Sequence, residues 1–356
     1  MYKIVAINLG STSSKLAYYE DDNCKIKVNI EHPVEEIKQY REIFDQFEYR
    51  AKVIGDFLKD HGIDYKEVDA IVSRGGHTRP LVGGTYQINE LMLAESRSGK
   101  FGLHASDLGV KIAHAMADEG KAIPMVVDPP VTDEFEPWAR YSGLPEIQRR
   151  SSFHALNQRA VGRLFAKDSG KPYENLNLIV VHMGGGITVG AHKQGKMVDA
   201  NNGLIGDGPF STNRTGGLPV GSLIDMCFSG KYTRADMFRK INGQGGMIAY
   251  IGESDVRTVE EKALAGNAEY KEVLDAMIYQ VCKEIGSLAP VLRGKVDAIL
   301  LTGGVAHSKY ITGQIEERVG FIAKIVSYPG EHEMQALALG AYDVLRGAKE
   351  LKKLKD

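Results

Sequence analysis

The chain has 356 residues, more than one ordinary hydrophobic core accommodates, which favours two domains of roughly 150 to 200 residues each. Hydrophobic residues make up 43% and charged residues 25%, so a folded globular protein without long disordered regions is expected. The 44 basic and 46 acidic side chains leave a net charge of −2, which gives no electrostatic argument for nucleic acid or an anionic membrane as partner. We therefore expect a small-molecule substrate and association with further copies of the chain.

Strands dominate the predicted start of the chain, at residues 4–7, 15–19 and 24–30, followed by a long amphipathic helix after Pro33. Apolar runs at 68–73 and 123–127 flank a helical stretch at 104–117, which predicts that a β-meander continues into βαβ units. The first apolar run is too short for a signal-peptide core or a membrane span.

The second half of the chain repeats this pattern. Strands are predicted at 178–181, 187–192, 197–200 and 298–301, with helices at 270–292 and 333–345 and a solvated, lysine-rich helix end at 349–356. Aligning the two meanders places Asn8 over His182 and Gly10 over Gly184. We expect two related domains with an interdomain cleft: an N-terminal domain of residues 1–175, completed by a C-terminal helix at about 333–356, and a C-terminal domain of residues 176–332.

Cysteine spacing indicates the compartment. Cys24, Cys227 and Cys282 lie far apart and form no CxxC pair, so neither a disulfide framework nor a zinc knuckle is predicted. We expect a cytoplasmic protein.

Glycine is the one residue type in clear excess, and the excess is local. Of 40 glycines, 26 lie in residues 179–356, and 11 of those lie between Gly184 and Gly221. Glycine clusters after apolar strands let backbone amides approach an anion such as a phosphate, although tight turns alone would also explain a single cluster. The segment from Gly190 to Lys196 fits GxxxxGK, but Met197 stands where a P-loop needs Ser or Thr. No GxGxxG follows the first strand, so a non-P-loop phosphate binder is predicted.

Two hairpin motifs carry a family resemblance. Residues 8–15, Asn-Leu-Gly-Ser-Thr-Ser-Ser-Lys, and residues 182–186, His-Met-Gly-Gly-Gly, resemble the two phosphate hairpins of the acetate kinase branch of the acetate and sugar kinase, heat-shock chaperone and actin superfamily. His154 and Arg214 fall where that branch has its histidine and second arginine. Four segments are similar to the butyrate kinases of that branch rather than to acetate kinases, namely residues 75–80, 127–130, 149–157 and 208–211.

The resemblance implies both a fold and a reaction. The implied fold is α/β, with duplicated ribonuclease-H-like (actin-like ATPase) domains built on mixed five-stranded sheets with flanking helices. The implied reaction is butyrate + ATP ⇌ butyryl phosphate + ADP in a Mg²⁺-dependent cytoplasmic homodimer or higher homo-oligomer. Acetate, propionate and isobutyrate are alternative acceptors, and a sugar kinase or a non-catalytic actin-like ATPase are alternative functions.

Phosphoryl transfer to a carboxylate joins two anions, so cations are needed more than a strong base. The resemblance implies that Arg74 and Arg214 contact the transferred group and the substrate carboxylate, and that His154 donates a hydrogen bond to a phosphoryl oxygen. Asp128 and Glu333 are the implied metal-linked acids, with Glu331 a competing choice. Arg149 and Arg150 precede the histidine motif and could assist.

The nucleotide contacts implied by the resemblance lie in the two hairpins and in the glycine turn after the strand at 298–301. They are Asn8, Ser11, Ser13, Lys15, His182, Gly184, Gly185, Gly186, Gly303, Gly304 and Val305. A separate hypothesis concerns Gly75 and Gly76, whose missing side chains would leave room for a longer acyl tail.

Overall fold

Two mixed β-sheets covered by helices form the fold, seen in a computed structural model that describes residues 1–355. Unit 1 comprises Met1–Asp133 and the segment from His332 onward, and unit 2 comprises Glu134–Glu331. The N-terminal part of unit 1 contains β1 (Lys3–Leu9), β2 (Ser13–Glu20), β3 (Asn23–Glu31), α1 (Val34–Ile37), α2 (Phe47–Asp60), β4 (Ala70–Ser73), β5 (Thr85–Gln87), α3 (Glu90–Ser98), α4 (Ala105–Asp118) and β6 (Ile123–Val127).

Unit 2 begins with a helix and then repeats the three-stranded meander. Its elements are α5 (Ala155–Ser169), β7 (Asn177–Met183), β8 (Ile187–Lys193), β9 (Lys196–Ala200), α6 (Val220–Phe228), α7 (Arg234–Ile241), α8 (Met247–Ile251), α9 (Val256–Leu264), α10 (Ala268–Leu288), β10 (Ala298–Gly303), α11 (Lys309–Val319) and β11 (Ile325–Pro329). The chain then returns to unit 1 as α12 (Glu333–Leu345) and β12 (Leu351–Lys353).

The predicted repeat is confirmed by the strand pairing. In unit 1, β1 pairs antiparallel with β2 and parallel with β4, and in unit 2, β7 pairs antiparallel with β8 and parallel with β10. Asn8 and His182 are each the last residue but one of their strand. Both strands are central and carry continuous apolar runs because helices cover both faces of each sheet. The strand ends that carry the predicted phosphate turns are therefore equivalent in the two units.

The sheets differ in size, which the sequence did not predict. The strand order is β12-β5-β6-β4-β1-β2-β3 in unit 1 and β11-β10-β7-β8-β9 in unit 2. The predicted five-stranded sheet is therefore correct for unit 2, whereas the sheet of unit 1 has seven strands. The two additional strands of unit 1 are β5 and β12, and β12 pairs parallel with β5. The expectation of a helix end at 349–356 is therefore wrong, because residues 351–353 extend the sheet.

Two further expectations need correction. The helix after Pro33 is not continuous: α1 ends at Ile37, and α2 starts only at Phe47 after a 3-10 turn at Ile43–Gln46. The boundary between units lies at 133/134 rather than 175/176. The reason is the packing of α5, whose Val161 and Phe165 contact a core that includes Leu178 and Leu300 of the second sheet.

Each unit has its own hydrophobic core. In unit 2, α10 supplies a buried stripe at helical spacing, including Leu274, Ile278, Val281 and Ile285, which packs with the strands β7 and β8. In unit 1, α4 and α12 pack against β1, β4 and β6. Within residues 1–355 no helix is both long and apolar enough to cross a membrane.

Candidate active site

The turn between β7 and β8 holds an arginine against glycine backbone. The Gly184 amide donates to the Gly186 carbonyl at 3.0 Å, which closes the turn. A Cβ placed on Gly186 would lie 2.0 Å from Nη1 of Arg214, so the guanidinium packs directly on the glycine. Predicted site residues from two distant segments, 182–186 and 214, therefore lie together in unit 2.

Among residues 1–355, no neighbouring acid balances the charge of Arg214. Nη1 donates to the carbonyl of Gly203, while Nε is buried and has no hydrogen-bond partner within residues 1–355. Burial lowers the pKa of Arg214, and it is the one cause of that shift in the described part of the chain. A buried cationic donor short of acceptors is well suited to an anionic ligand.

Two predicted site histidines stack beside this turn. The rings of His154 and His182 are nearly parallel, with centroids 3.8 Å apart and an interplanar angle of 12°. His154 Nδ1 lies 2.9 Å from Thr188 Oγ1, and His182 Nδ1 lies 2.8 Å from Asn157 Nδ2. His182 Nε2 is 3.4 Å from where a Cβ of Gly184 would be, so this nitrogen is directed at the turn.

The third glycine cluster lies at the end of β10. Gly303 has φ +88°, and a Cβ there would lie 2.2 Å from the Met183 carbonyl oxygen, so only glycine lets the ends of β7 and β10 approach this closely. Gly303 and Gly330 exchange backbone hydrogen bonds of 3.0 and 2.9 Å. This packing places Gly304 and Val305 on the wall of a cavity.

That cavity belongs entirely to unit 2 and has a volume of about 840 Å³, a size typical of small-molecule sites. Besides predicted residues, its wall contains residues from α9 and its N-cap and from the 3-10 turn after β10, among them Asp255, Arg257, Glu260, Leu264 and His307. Sequence reasoning missed these residues. The available signal was the polar Ser254-Asp255 pair, whose Asp255 caps α9.

In unit 1, Glu333 connects two predicted site residues. Glu333 Oε2 accepts from Asn8 Nδ2 at 2.7 Å, and Oε1 lies 3.5 Å from Arg74 Nη2. Glu333 is the buried first residue of α12, whereas Glu331 is exposed and lies in unit 2. Glu333 is therefore brought together with Asn8 and Arg74 within unit 1.

The first hairpin is held by a residue that sequence reasoning missed. Arg50 of α2 is fully buried and donates to the carbonyls of Gly10, Ser11 and Ser13 at 3.0, 2.7 and 3.1 Å. Burial lowers its pKa. Ser11, Ser13 and Lys15 remain on the hairpin as predicted, and Lys15 pairs across the strands with Asn8. A buried cation beneath the turn adds positive potential to it.

Asp128 has an unusual backbone. Its φ is +41°, in the left-handed region that costs a non-glycine residue roughly 1–3 kcal/mol. The side chain is fully buried, Oδ1 accepts from the Gly84 amide at 2.8 Å, and the Asp128 amide donates to the Gly84 carbonyl at 2.9 Å. Residues strained in this way cluster at functional sites, so the strain is compatible with the predicted role.

Gly75 and Gly76 do not leave the room that the sequence suggested. Gly75 and Gly76 leave no vacant space, because added Cβ atoms would lie 2.8 Å from Pro129 Cβ and 2.3 Å from Asp107 Oδ1. The acyl-tail hypothesis for these glycines is therefore wrong.

The two adjacent arginines before the histidine motif differ in their surroundings. Arg149 is bound to Asp199 at 2.8 Å and to the carbonyls of Ala139 and Ala200, whereas Arg150 is exposed.

No group of three or more His, Cys, Asp or Glu side chains among residues 1–355 is arranged to hold a metal ion. Mg²⁺ in nucleotide sites usually takes one or two carboxylates together with phosphate oxygens and water. Glu333, with hard oxygen donors beside a polar amide, fits such a partial ligand set.

Unit 2 of this two-sheet α/β protein thus combines glycine turns, an arginine with no acid partner among residues 1–355 and a cavity of about 840 Å³. Residues 141–322 match the acetokinase family. The chain is 50% identical over 351 residues to a "Probable butyrate kinase" of Clostridium botulinum, and 49% identical over 354 residues to "Butyrate kinase 2" of Clostridium acetobutylicum; each alignment covers 99% of both chains. The chain belongs to the acetokinase family.

A solved structure agrees on the fold. Porphyromonas gingivalis acetate kinase superposes with a TM-score of 0.79 at 19% identity, covering 98% of this chain and 100% of that one. The predicted duplicated α/β fold is confirmed by this structure, and the predicted family by the family match and the relatives.

Proposed function

We propose that the protein is a butyrate kinase that transfers the γ-phosphoryl group of ATP to the carboxylate of butyrate, giving butyryl phosphate and ADP. The observation that carries the proposal is the half-buried Arg214 guanidinium, which packs on the Gly184–Gly186 turn and has no acid partner in the described part of the chain, residues 1–355. Full-length relatives named butyrate kinase support the choice of acid.

In unit 2, the chemistry assigned to the residues is nucleotide binding and charge stabilisation. The cavity bounded by Gly185, Gly304 and Val305 would take the nucleoside. Amides of the glycine turn and the N–H groups of His154 and His182 would hold phosphate oxygens, and Arg214 would stabilise the charge that develops during transfer. No general base is required, because a carboxylate is already an ionised nucleophile.

In unit 1, we assign Arg74 to binding the carboxylate of the acid substrate. The first hairpin, which contains Asn8, Ser11, Ser13 and Lys15, is assigned to binding phosphate. Mg²⁺ would be held by Glu333 with Asp128 and, when bound, would neutralise charge on the phosphate oxygens. In this proposal the Glu333 carboxylate also orients Arg74 and Asn8, its two side-chain partners.

The sugar-kinase alternative needs an aspartate that can take a proton from a hydroxyl group. Asp128 is fully buried, and one of its oxygens is occupied by the Gly84 amide, which supports a positioning role over that of a general base. We therefore favour a carboxylate acceptor.

The decisive experiment measures ADP formation with butyrate, isobutyrate, propionate, acetate, glucose and no acceptor, together with hydroxamate trapping of the acyl phosphate. We expect the highest kcat/KM with butyrate and a hydroxamate product. ADP formation that does not depend on the added acid would overturn the proposal. Arg214→Ala should lower kcat by about 10²–10³-fold while the thermal unfolding temperature is retained.

We also propose that the chain forms a homodimer or higher homo-oligomer in the cytoplasm. Helix α6 buries none of its side chains, and Val220, Ile224 and Phe228 lie on one stripe at 68%, 51% and 87% exposure. A second copy would cover this stripe. Sedimentation of Phe228→Asp should give a smaller species than the wild type, and an unchanged sedimentation coefficient would exclude this face.

A further inference from the structure

Two consecutive residues of α5 lie behind the stacked histidines. Asn157 and Gln158 are both fully buried, and neither was assigned a role from the sequence. Each amide side chain lies in a hydrogen-bond chain that starts at a backbone carbonyl, which can only accept. The direction of every bond in these chains, and so the position of each histidine proton, follows from that starting point.

The first chain starts at the Gly330 carbonyl. Thr302 Oγ1 donates its only proton to this oxygen at 3.1 Å and must therefore accept from Asn157 Nδ2 at 3.2 Å. The same amide nitrogen has a second proton and donates it to His182 Nδ1 at 2.8 Å. Because a ring nitrogen that accepts carries no proton, the proton of neutral His182 is on Nε2, which is directed at Gly184.

The second chain starts at the Thr188 carbonyl. Gln158 Nε2 donates to that oxygen at 3.2 Å and to Thr188 Oγ1 at 3.0 Å. Thr188 is fully buried, and within residues 1–355 its hydroxyl has no acceptor in reach other than His154 Nδ1 at 2.9 Å, so it donates its proton to that nitrogen. Neutral His154 therefore also has its proton on Nε2.

The far side of Gln158 supports this orientation. Its Oε1 accepts from His192 Nε2 at 3.1 Å, and Tyr173 donates its hydroxyl proton to His192 Nδ1 at 2.8 Å. Burial lowers the pKa of His192 to about 3, so this ring is neutral and has one donor and one acceptor nitrogen, as both contacts require. A Cβ on Gly190 would lie 2.2 Å from Gln158 Oε1, so the glycine makes room for the amide.

We propose that Asn157 and Gln158 are positioning residues that hold His182 and His154 as neutral Nε2–H tautomers, so that the stacked pair offers two uncharged N–H donors to phosphate oxygens. The proposal rests on the proposed function for the identity of the ligand. The tautomers themselves are properties of the protein alone. Two stacked imidazolium rings would repel each other, so a neutral pair suits rings 3.8 Å apart.

The direct test is ¹⁵N NMR of the histidine side chains in the wild-type protein near neutral pH, without nucleotide or acid. We expect the Nε2–H tautomer for both His154 and His182. An Nδ1–H signal from either ring would overturn the proposal for its chain. This result is independent of turnover, so its failure is distinguishable from failure of the proposed function.

Matched variants then separate positioning from general damage. Gln158→Glu replaces the donor to Thr188 by an acceptor, so the hydroxyl should turn and His154 should change to Nδ1–H while His182 is unaffected. Asn157→Asp should change His182 to Nδ1–H and leave the His154 tautomer unaffected. Each should lower kcat by at least about 10²-fold, since a wrong histidine tautomer is severe in other enzymes. A fall in kcat with both tautomers unchanged would refute the positioning role.

Two further variants act at a distance from the histidines. Gly190→Ala should displace the Gln158 amide and reproduce the loss of His154 Nε2–H. Tyr173→Phe removes only the outermost bond of the second chain, so it should keep the His154 tautomer and kcat within about twofold. An equal loss of kcat in Tyr173→Phe and Gln158→Glu, with no tautomer change, would point to stability alone.

Discussion

Gly186→Ala tests whether glycine is needed at this position of the second hairpin because Arg214 packs against it, rather than because the turn requires glycine. The added Cβ would lie 2.0 Å from Nη1 and 2.6 Å from Cζ of Arg214. Ordinary contact begins near 3.4 Å, so Nη1 must move by about 1.4 Å and its bond to the Gly203 carbonyl must change. A displacement of about 1 Å in a charge-stabilising group is sufficient to lower a rate about 10²-fold.

The assay is steady-state ADP formation with butyrate and Mg²⁺ATP, combined with a double-mutant cycle. We expect Gly186→Ala to lower kcat by about 10²-fold in the wild type and to have almost no effect in an Arg214→Ala background, because the displaced group is then absent. Equal, additive losses in both backgrounds would refute the reasoning. Gly286→Ala on α10 is the control, since its added Cβ meets nothing within 4 Å and its activity should be unchanged.

Three other predictions concern unit stability, metal dependence and pH. Gly76→Ala should clash with the buried Asp107 and lower the thermal unfolding temperature by several degrees without changing the order of acid preference, measured by calorimetry and a substrate series. Glu333→Gln should raise the Mg²⁺ concentration for half-maximal activity and lower kcat, and an unchanged Mg²⁺ titration would remove Glu333 from the proposed metal site. Burial, with Asp207 adding to it, raises the pKa of Glu284 to about 7 from 4.5, so the native state keeps this proton longer than the unfolded chain and stability falls as pH rises through that window. Glu284→Gln should therefore stabilise the protein clearly at pH 8 and much less at pH 5; equal gains at both values would contradict the assignment.

Local patterns predicted much of this protein. The grouping of His154, His182, Gly186 and Arg214 was implied by the family resemblance of their motifs, whereas the approximate strand positions and the repeat of β1–β2 in β7–β8 followed from apolar runs ending in glycine turns. Such signals are readable because a strand and its following turn are contiguous in sequence.

The features that were missed depend on tertiary packing. A strand at 351–353 forms only because β5 offers an edge, and its lysines alone suggest a solvated end. The absence of a side chain at Gly76 suggested free space for a substrate. That space is filled by Asp107, which is 31 residues away in sequence. Arg50, Asn157 and Gln158 resemble ordinary helix residues in the sequence, because their partners are known only from the structure: the Gly10 carbonyl for Arg50, His182 for Asn157 and Thr188 for Gln158.

The return of the chain to unit 1 has a consequence for synthesis on the ribosome. Glu333 and β12 are translated only after all of unit 2, a delay on the order of tens of seconds at about 5–20 residues per second. Unit 2 is contiguous and can fold as it emerges, whereas unit 1 must wait with its β5 edge open and with Arg74 and Asn8 lacking their acid. A nascent chain could therefore fold its proposed nucleotide cavity well before it gained the carboxylate proposed to bind metal.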